Sequence, residues 1–88
     1  MKRFVDEVVS VKDRFSLGRD TITGEKYLSI PVANRMVDYE EYYKLELSVY
    51  NEFVRSNHAA VTFANECRRR EHDDCLVVQP GTDRGTAI

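Results

Sequence analysis

The sequence predicts an α+β fold: a three-stranded antiparallel meander, followed by two helices and a short C-terminal strand. Two observations carry that reading. Apolar and polar residues alternate at period two through "KYLSIPV" and "VDYEEYYKL", and beyond Leu45 the apolar period lengthens to three or four residues. Turn formers in "GRDTITGEK" and "ANR" separate the strand-like runs.

The first strand is read over Val8 to Arg19. Val11, Asp13, Phe15 and Leu17 alternate there with Lys12, Arg14 and Ser16, and the β-branched Val5, Val8, Val9 and Val11 favour extended backbone. Phe4, Val8, Val11 and Phe15 also fall at helical spacing, so the first seven residues stay open between strand and helix. Gly18, Asp20 and Gly24 supply turn chemistry ahead of a second strand, Lys26 to Val32. Its Leu28, Ile30 and Val32 share one face, with Tyr27, Ser29 and Pro31 on the other. Pro31 has no amide hydrogen, so its nitrogen must face away from a partner strand. Asn34 tolerates the left-handed backbone of a tight hairpin, which leads into a third strand, Met36 to Leu45.

Within that strand, "VDYEEYYKL" admits two readings. As a helix, Asp38 would cap, Glu41 would complete a capping box, and Tyr39, Tyr43, Leu47, Tyr50 and Val54 would line one side. As a strand, Val37, Tyr39, Glu41, Tyr43 and Leu45 form a mostly apolar face, and Asp38, Glu40, Tyr42 and Lys44 a charged one. Tyrosine content and the preceding hairpin signal favour the strand.

Leu47, Tyr50, Phe53 and Val54 then repeat at helical spacing, with Ser48 as a candidate cap. A second helix is capped by Ser56 or Asn57 and carries Ala60, Phe63, Ala64 and Cys67 at i, i+3, i+4 and i+7. "EHDD" ends it, and "CLVVQP" reads as a last strand, Cys75 to Gln79, stopped by Pro80. Residues 1–80 form one small domain, and "GTDRGTAI", residues 81–88, reads as a flexible tail. Phe15, Leu17, Leu28, Ile30, Tyr39, Tyr43, Phe53 and Phe63 are expected to meet where helices cover the sheet.

Composition narrows the function. A chain of 88 residues buries roughly 60–65% of its unfolded surface, so its core is thin and leaves little room for an enclosed catalytic pocket. A net charge of −2 argues against a general nucleic-acid binder. Met36 to Val54 holds five acids and one lysine, a local acidic block that suits a basic partner. Asp6 and Glu7 interrupt the apolar character of the opening stretch, which argues against a signal peptide, and no run approaches membrane-spanning length. Two cysteines are too few for a disulfide framework, so a cytoplasmic protein with reduced thiols is expected.

Cys67, His72 and Cys75 are sound zinc ligands by type, with Asp73, Asp74 and His58 nearby. Their C-x4-H-x2-C spacing is not a common metal pattern, and burial of Cys67 on the second helix is the simpler account. Nothing resembling a nucleophile motif flanks either cysteine, and "PGTDRG" lacks the lysine of a phosphate loop. Arg68, Arg69 and Arg70, with Arg55, suggest a nucleic-acid contact. On a helix, however, three successive residues fan over roughly 200°, and cations in a last turn complement the helix dipole. The acids Asp38, Glu40, Glu41, Glu46 and Glu52 are expected to be too hydrated for general acid catalysis.

The function expected is therefore a small non-enzymatic, cofactor-free adaptor or inhibitor, of the kind found in bacterial accessory systems, that binds another protein. Its surface is Asp38, Glu40, Tyr42 and Lys44 with Glu46, acids and tyrosine being suited to an interface. Pairing of two copies into a homodimer is a related expectation. The alternatives are a nucleic-acid-binding accessory protein using Arg55, Arg68, Arg69 and Arg70, and a small zinc domain using Cys67, His72 and Cys75.

Overall fold

The computed structural model describes residues 2–81 and 84–88; Met1, Thr82 and Asp83 lie outside the described residues. The elements are β1 (Phe4–Ser10), β2 (Phe15–Asp20), β3 (Lys26–Ala33), β4 (Asp38–Leu45), α1 (Leu47–Arg55), α2 (Asn57–Arg68), a one-turn 3-10 helix (Asp73–Cys75) and β5 (Thr86–Ala87). The strands β1-β2-β3-β4 form an antiparallel meander, and β5 pairs with β3. No helix among the described residues is long and apolar enough to cross a membrane.

The meander has four strands rather than three, because the run Val8 to Arg19 folds back on itself. Its turn holds no glycine, proline or asparagine; Arg14 takes the left-handed conformation instead, at φ 56°. A local and a distant contact hold it there. Ser10 Oγ accepts from the Asp13 amide at 3.2 Å, and Arg68 on α2 donates to the carbonyls of Asp13 and Arg14 at 2.8 and 2.7 Å. The first seven residues, left open by sequence, enter β1 from Phe4 onward, with a bulge between Asp6 and Val8.

At the β3–β4 hairpin, Asn34 works by side chain rather than by left-handed backbone. Its Oδ1 accepts from the amides of Met36 and Val37 at 2.8 and 2.9 Å, an Asx turn. Pro31 sits in the middle of the sheet without breaking the ladder. Pairing of β3 with β2 stops at Ser29 and pairing with β5 starts at Val32, so Pro31 falls in the gap. Its carbonyl accepts from Ile88 N at 3.2 Å on that side, and the nitrogen of an extended residue points the same way as its carbonyl.

The expected strand Cys75 to Gln79 is reduced to one bridge, Tyr43 with Leu76. Asp73–Cys75 turns as a 3-10 helix instead, and the short C-terminal strand lies further on, at Thr86–Ala87. The segment read as a flexible tail is, over 84–88, laid against β3.

One face of the sheet is covered by the helices. Phe15, Leu17, Leu28, Ile30, Val32, Tyr43 and Leu45 pack there against Tyr50 and Phe53 of α1 and Ala60, Ala64 and Cys67 of α2, with Tyr39 and Phe63 half-buried at the margin. Ser56 caps α2 by accepting from the Ala59 amide at 3.3 Å. α1 begins at Leu47, one residue too early for Ser48 to cap it; Glu46 holds the cap position without a side-chain bond. In β4 the alternation divides as the strand reading has it: Glu41, Tyr43 and Leu45 are buried, and Asp38, Glu40 and Lys44 exposed.

Candidate functional site

Among the described residues no helix covers the second face of the sheet, yet Tyr27 and Ser29 are wholly buried on it. The sheet curls until β1 meets β4. Phe4 stacks on Tyr42 with centroids 3.7 Å apart, and Tyr27 meets both rings edge-on, at 5.6 and 4.9 Å. Such aromatic pairs contribute about 0.5–1.5 kcal/mol each beyond area burial. Tyr27 reaches across Gly18 to donate to Asp6 Oδ1 at 2.6 Å. A Cβ at Gly18 would lie 2.5 Å from the Tyr27 hydroxyl, so glycine is what opens the passage.

Beside this cluster is a recess of about 410 Å³ with Val9, Val11, Pro31 and Ile88 among its walls, together with Glu40 and, from the β1–β2 turn, Arg14. Val9 and Val11 keep 61% and 85% of their surface exposed, which makes the apolar rim available for contact. Glu40 also lines a second recess, with Phe4 and Tyr42. The residue keeps part of its surface in water, but burial of its carboxyl raises its pKa, and the Asp6 carboxylate pushes the same way. The buried Ser29 hydroxyl has no hydrogen bond of good geometry, though it lies close enough to Glu40 to oppose the rise. Among the described residues neither Asp6 nor Glu40 has an ion-pair partner.

The residues singled out by sequence are partly brought together. Asp38, Glu40, Tyr42 and Lys44 do share one face of β4. Tyr42 is half-buried in the aromatic cluster rather than free, while Lys44 and Glu46 line a separate cleft with Lys26, Leu47 and Cys75. Asp6 belongs to the surface and was missed, because its approach to β4 depends on the curl of the sheet. Glu41, from the same acidic stretch, faces the helices: it is 7% exposed and held by Arg84.

The arginines do not converge. Arg68 closes the β1–β2 turn and bonds Asn65, Arg69 pairs with Glu71, and Arg70, at φ 62°, donates to the Gly85 carbonyl. Arg55 is exposed at the end of α1. Cys67 is 1% exposed, and burial pushes its thiol pKa up, which suits a core residue. His72 and Cys75 lie near Asp74 instead, Cys75 partly buried against the edge of the core. A scan against protein-family profiles, a search of curated proteins and a search of solved structures each found no match to this chain.

Proposed function

We propose that this protein is a non-catalytic protein-binding module that docks a basic segment of another protein against the helix-free face of its sheet. The observation that supports this is the Asp6 and Glu40 pair: two carboxylates on an uncovered face that have no ion-pair partner among the described residues, Glu40 lining a recess with Val9, Val11 and Pro31. A lysine or arginine side chain would relieve the repulsion, and its aliphatic stem would lie along Val9, Val11 and Pro31. The electrostatic part of the interaction adds more to association rate and specificity than to affinity.

The test is an affinity capture from the native host with three baits: wild type, Glu40→Gln, and Glu52→Gln as a control on the exposed side of α1. A partner recovered with wild type and Glu52→Gln but lost with Glu40→Gln, and cross-linked near Asp6 or Tyr42, supports the reading. Recovery that ignores Glu40, or capture of this chain alone, sinks it.

A further inference from the structure

The turn that leaves α2 gathers three metal-binding side chains of different kinds. His72, Asp74 and Cys75 each offer a donor atom, and these atoms all lie within 4.8 Å of one another. Tetrahedral zinc with bonds of 2.0–2.3 Å sets its donors about 3.3–3.8 Å apart, so closure needs a shift of roughly 1 Å, within the reach of side-chain rotation. The one-turn 3-10 helix Asp73–Cys75, with His72 at its N-terminal cap, makes this possible by bringing His72 and Cys75 within a single turn.

The histidine is held as a metal-binding histidine is. Its Nε2 lies 2.7 Å from Glu66 Oε1 on α2. A carboxylate only accepts, so Nε2 is the donor in this contact and Nδ1 is the ring nitrogen left to bind a metal in the neutral tautomer. Ligating histidines characteristically pass their second N–H to a carboxylate, which fixes the tautomer and raises basicity. Phe63, also on α2, stacks on the ring at 4.3 Å and an interplanar angle of 18°, so its plane is fixed as well. Neighbours with the wrong role are accounted for: Asp73 is engaged by Arg84, and Cys67 is sealed in the core.

We propose that His72 Nδ1, the Asp74 carboxylate and Cys75 Sγ bind one divalent transition-metal ion, with water as fourth ligand and Glu66 as the positioning residue. A nitrogen, oxygen and sulfur set selects zinc or cobalt over magnesium or calcium. Three protein ligands and a water make an open site rather than a closed structural one. Cys75 borders the cleft of about 690 Å³ shared with Lys44, Glu46 and Leu47, which gives the ion access from solvent.

The experiment titrates the untagged, reduced, chelator-stripped chain with Zn²⁺ by calorimetry and with Co²⁺ by absorption spectroscopy. One equivalent of each is expected, and cobalt should show a thiolate-to-metal band that is absent in Cys75→Ser and kept in Cys67→Ala. His72→Ala should weaken zinc binding at least 100-fold and Glu66→Gln about 10–100-fold, the usual effect of losing a ligand's hydrogen-bond partner. Circular dichroism separates lost binding from lost fold, and Asp74→Asn, an exposed position, gives a variant that keeps the fold and should still bind at least 10-fold more weakly. Zinc affinity weaker than about 100 µM, or tight binding that survives both Cys75→Ser and His72→Ala, overturns the assignment.

Discussion

Arg84 grips Glu41 with two bonds, Nε to Oε2 at 2.9 Å and Nη2 to Oε1 at 3.1 Å. The same guanidinium forks onto Asp73 at 2.8 and 2.9 Å, and the Tyr43 hydroxyl donates to Glu41 Oε1 at 2.9 Å from within the core. One side chain near the C-terminus therefore ties β4 to the turn after α2. Gly85 completes the clamp, its amide donating to the Tyr39 hydroxyl and its carbonyl accepting from Arg70.

Removal of Arg84 leaves a carboxylate at 7% exposure without its cation. Breaking a buried pair costs about 3–5 kcal/mol, and partial exposure of the Asp73 end lowers that to about 2–3 kcal/mol. Arg84→Ala should therefore melt about 10–20 °C below wild type. Arg84→Ala with Glu41→Gln should recover part of the loss, since no unpaired charge remains. An Arg84→Ala melting point within 3 °C of wild type, about the effect of a neutral surface change, contradicts the clamp.

Gly18 supports the uncovered face. A Cβ there would meet Val5 O at 2.1 Å as well as the Tyr27 ring, and backbone cannot step aside as a flexible side chain can. Gly18→Ala should cost about 2–3 kcal/mol, in the upper range for overpacking. Tyr27→Phe relieves only the hydroxyl contact, so Gly18→Ala should still destabilise a Tyr27→Phe background through the clash with Val5 O. Full rescue by Tyr27→Phe would mean the clash with Val5 is not the decisive one.

These two positions mark where the sequence stops being readable. Alternation in "VDYEEYYKL" places Glu41, Tyr43 and Leu45 inward and Asp38, Glu40 and Lys44 outward, because burial of one sheet face dictates period two. The α2 stripe and its Ser56 cap are equally local signals. The turn at residues 11–14 is not, for its left-handed Arg14 is held by Arg68, 54 positions away. Residues 81–88 read as loose because they hold two glycines and little apolar content, whereas over 84–88 an arginine bonded to Glu41, 43 positions back, ties the chain to the sheet. The candidate surface was half legible for the same reason: Glu40 sits in the strand pattern, but Asp6 reaches it only through the curl that stacks Phe4 on Tyr42.

Asp20 is 2% exposed at the end of β2, where it accepts three contacts from Arg3 at 2.9–3.2 Å and one from the Ile22 amide at 2.9 Å. The Arg3 hydrogen bonds, aided by the Ile22 and Thr23 amides, lower its pKa from 3.8 to about 2 against the opposing effect of burial. A carboxylate whose pKa is depressed by folding binds protons more readily when unfolded, so it stabilises the fold above the unfolded value of about 3.9. That contribution falls away as pH drops from about 4 through about 2. Asp20→Asn cannot accept Arg3 as a charged partner at any pH, so it lacks the contribution throughout. Urea midpoints measured at pH 6 should lie clearly below wild type for Asp20→Asn, and at pH 2 the two curves should draw together. The variant also sheds the start of β1, since Arg3 on one side and the β2–β3 turn on the other meet at this carboxylate; amide exchange should quicken first at Phe4 and Val5. Equal midpoints at pH 6, or a gap that stays constant down to pH 2, would show that the Arg3–Asp20 contact does not set the acid limit of this fold.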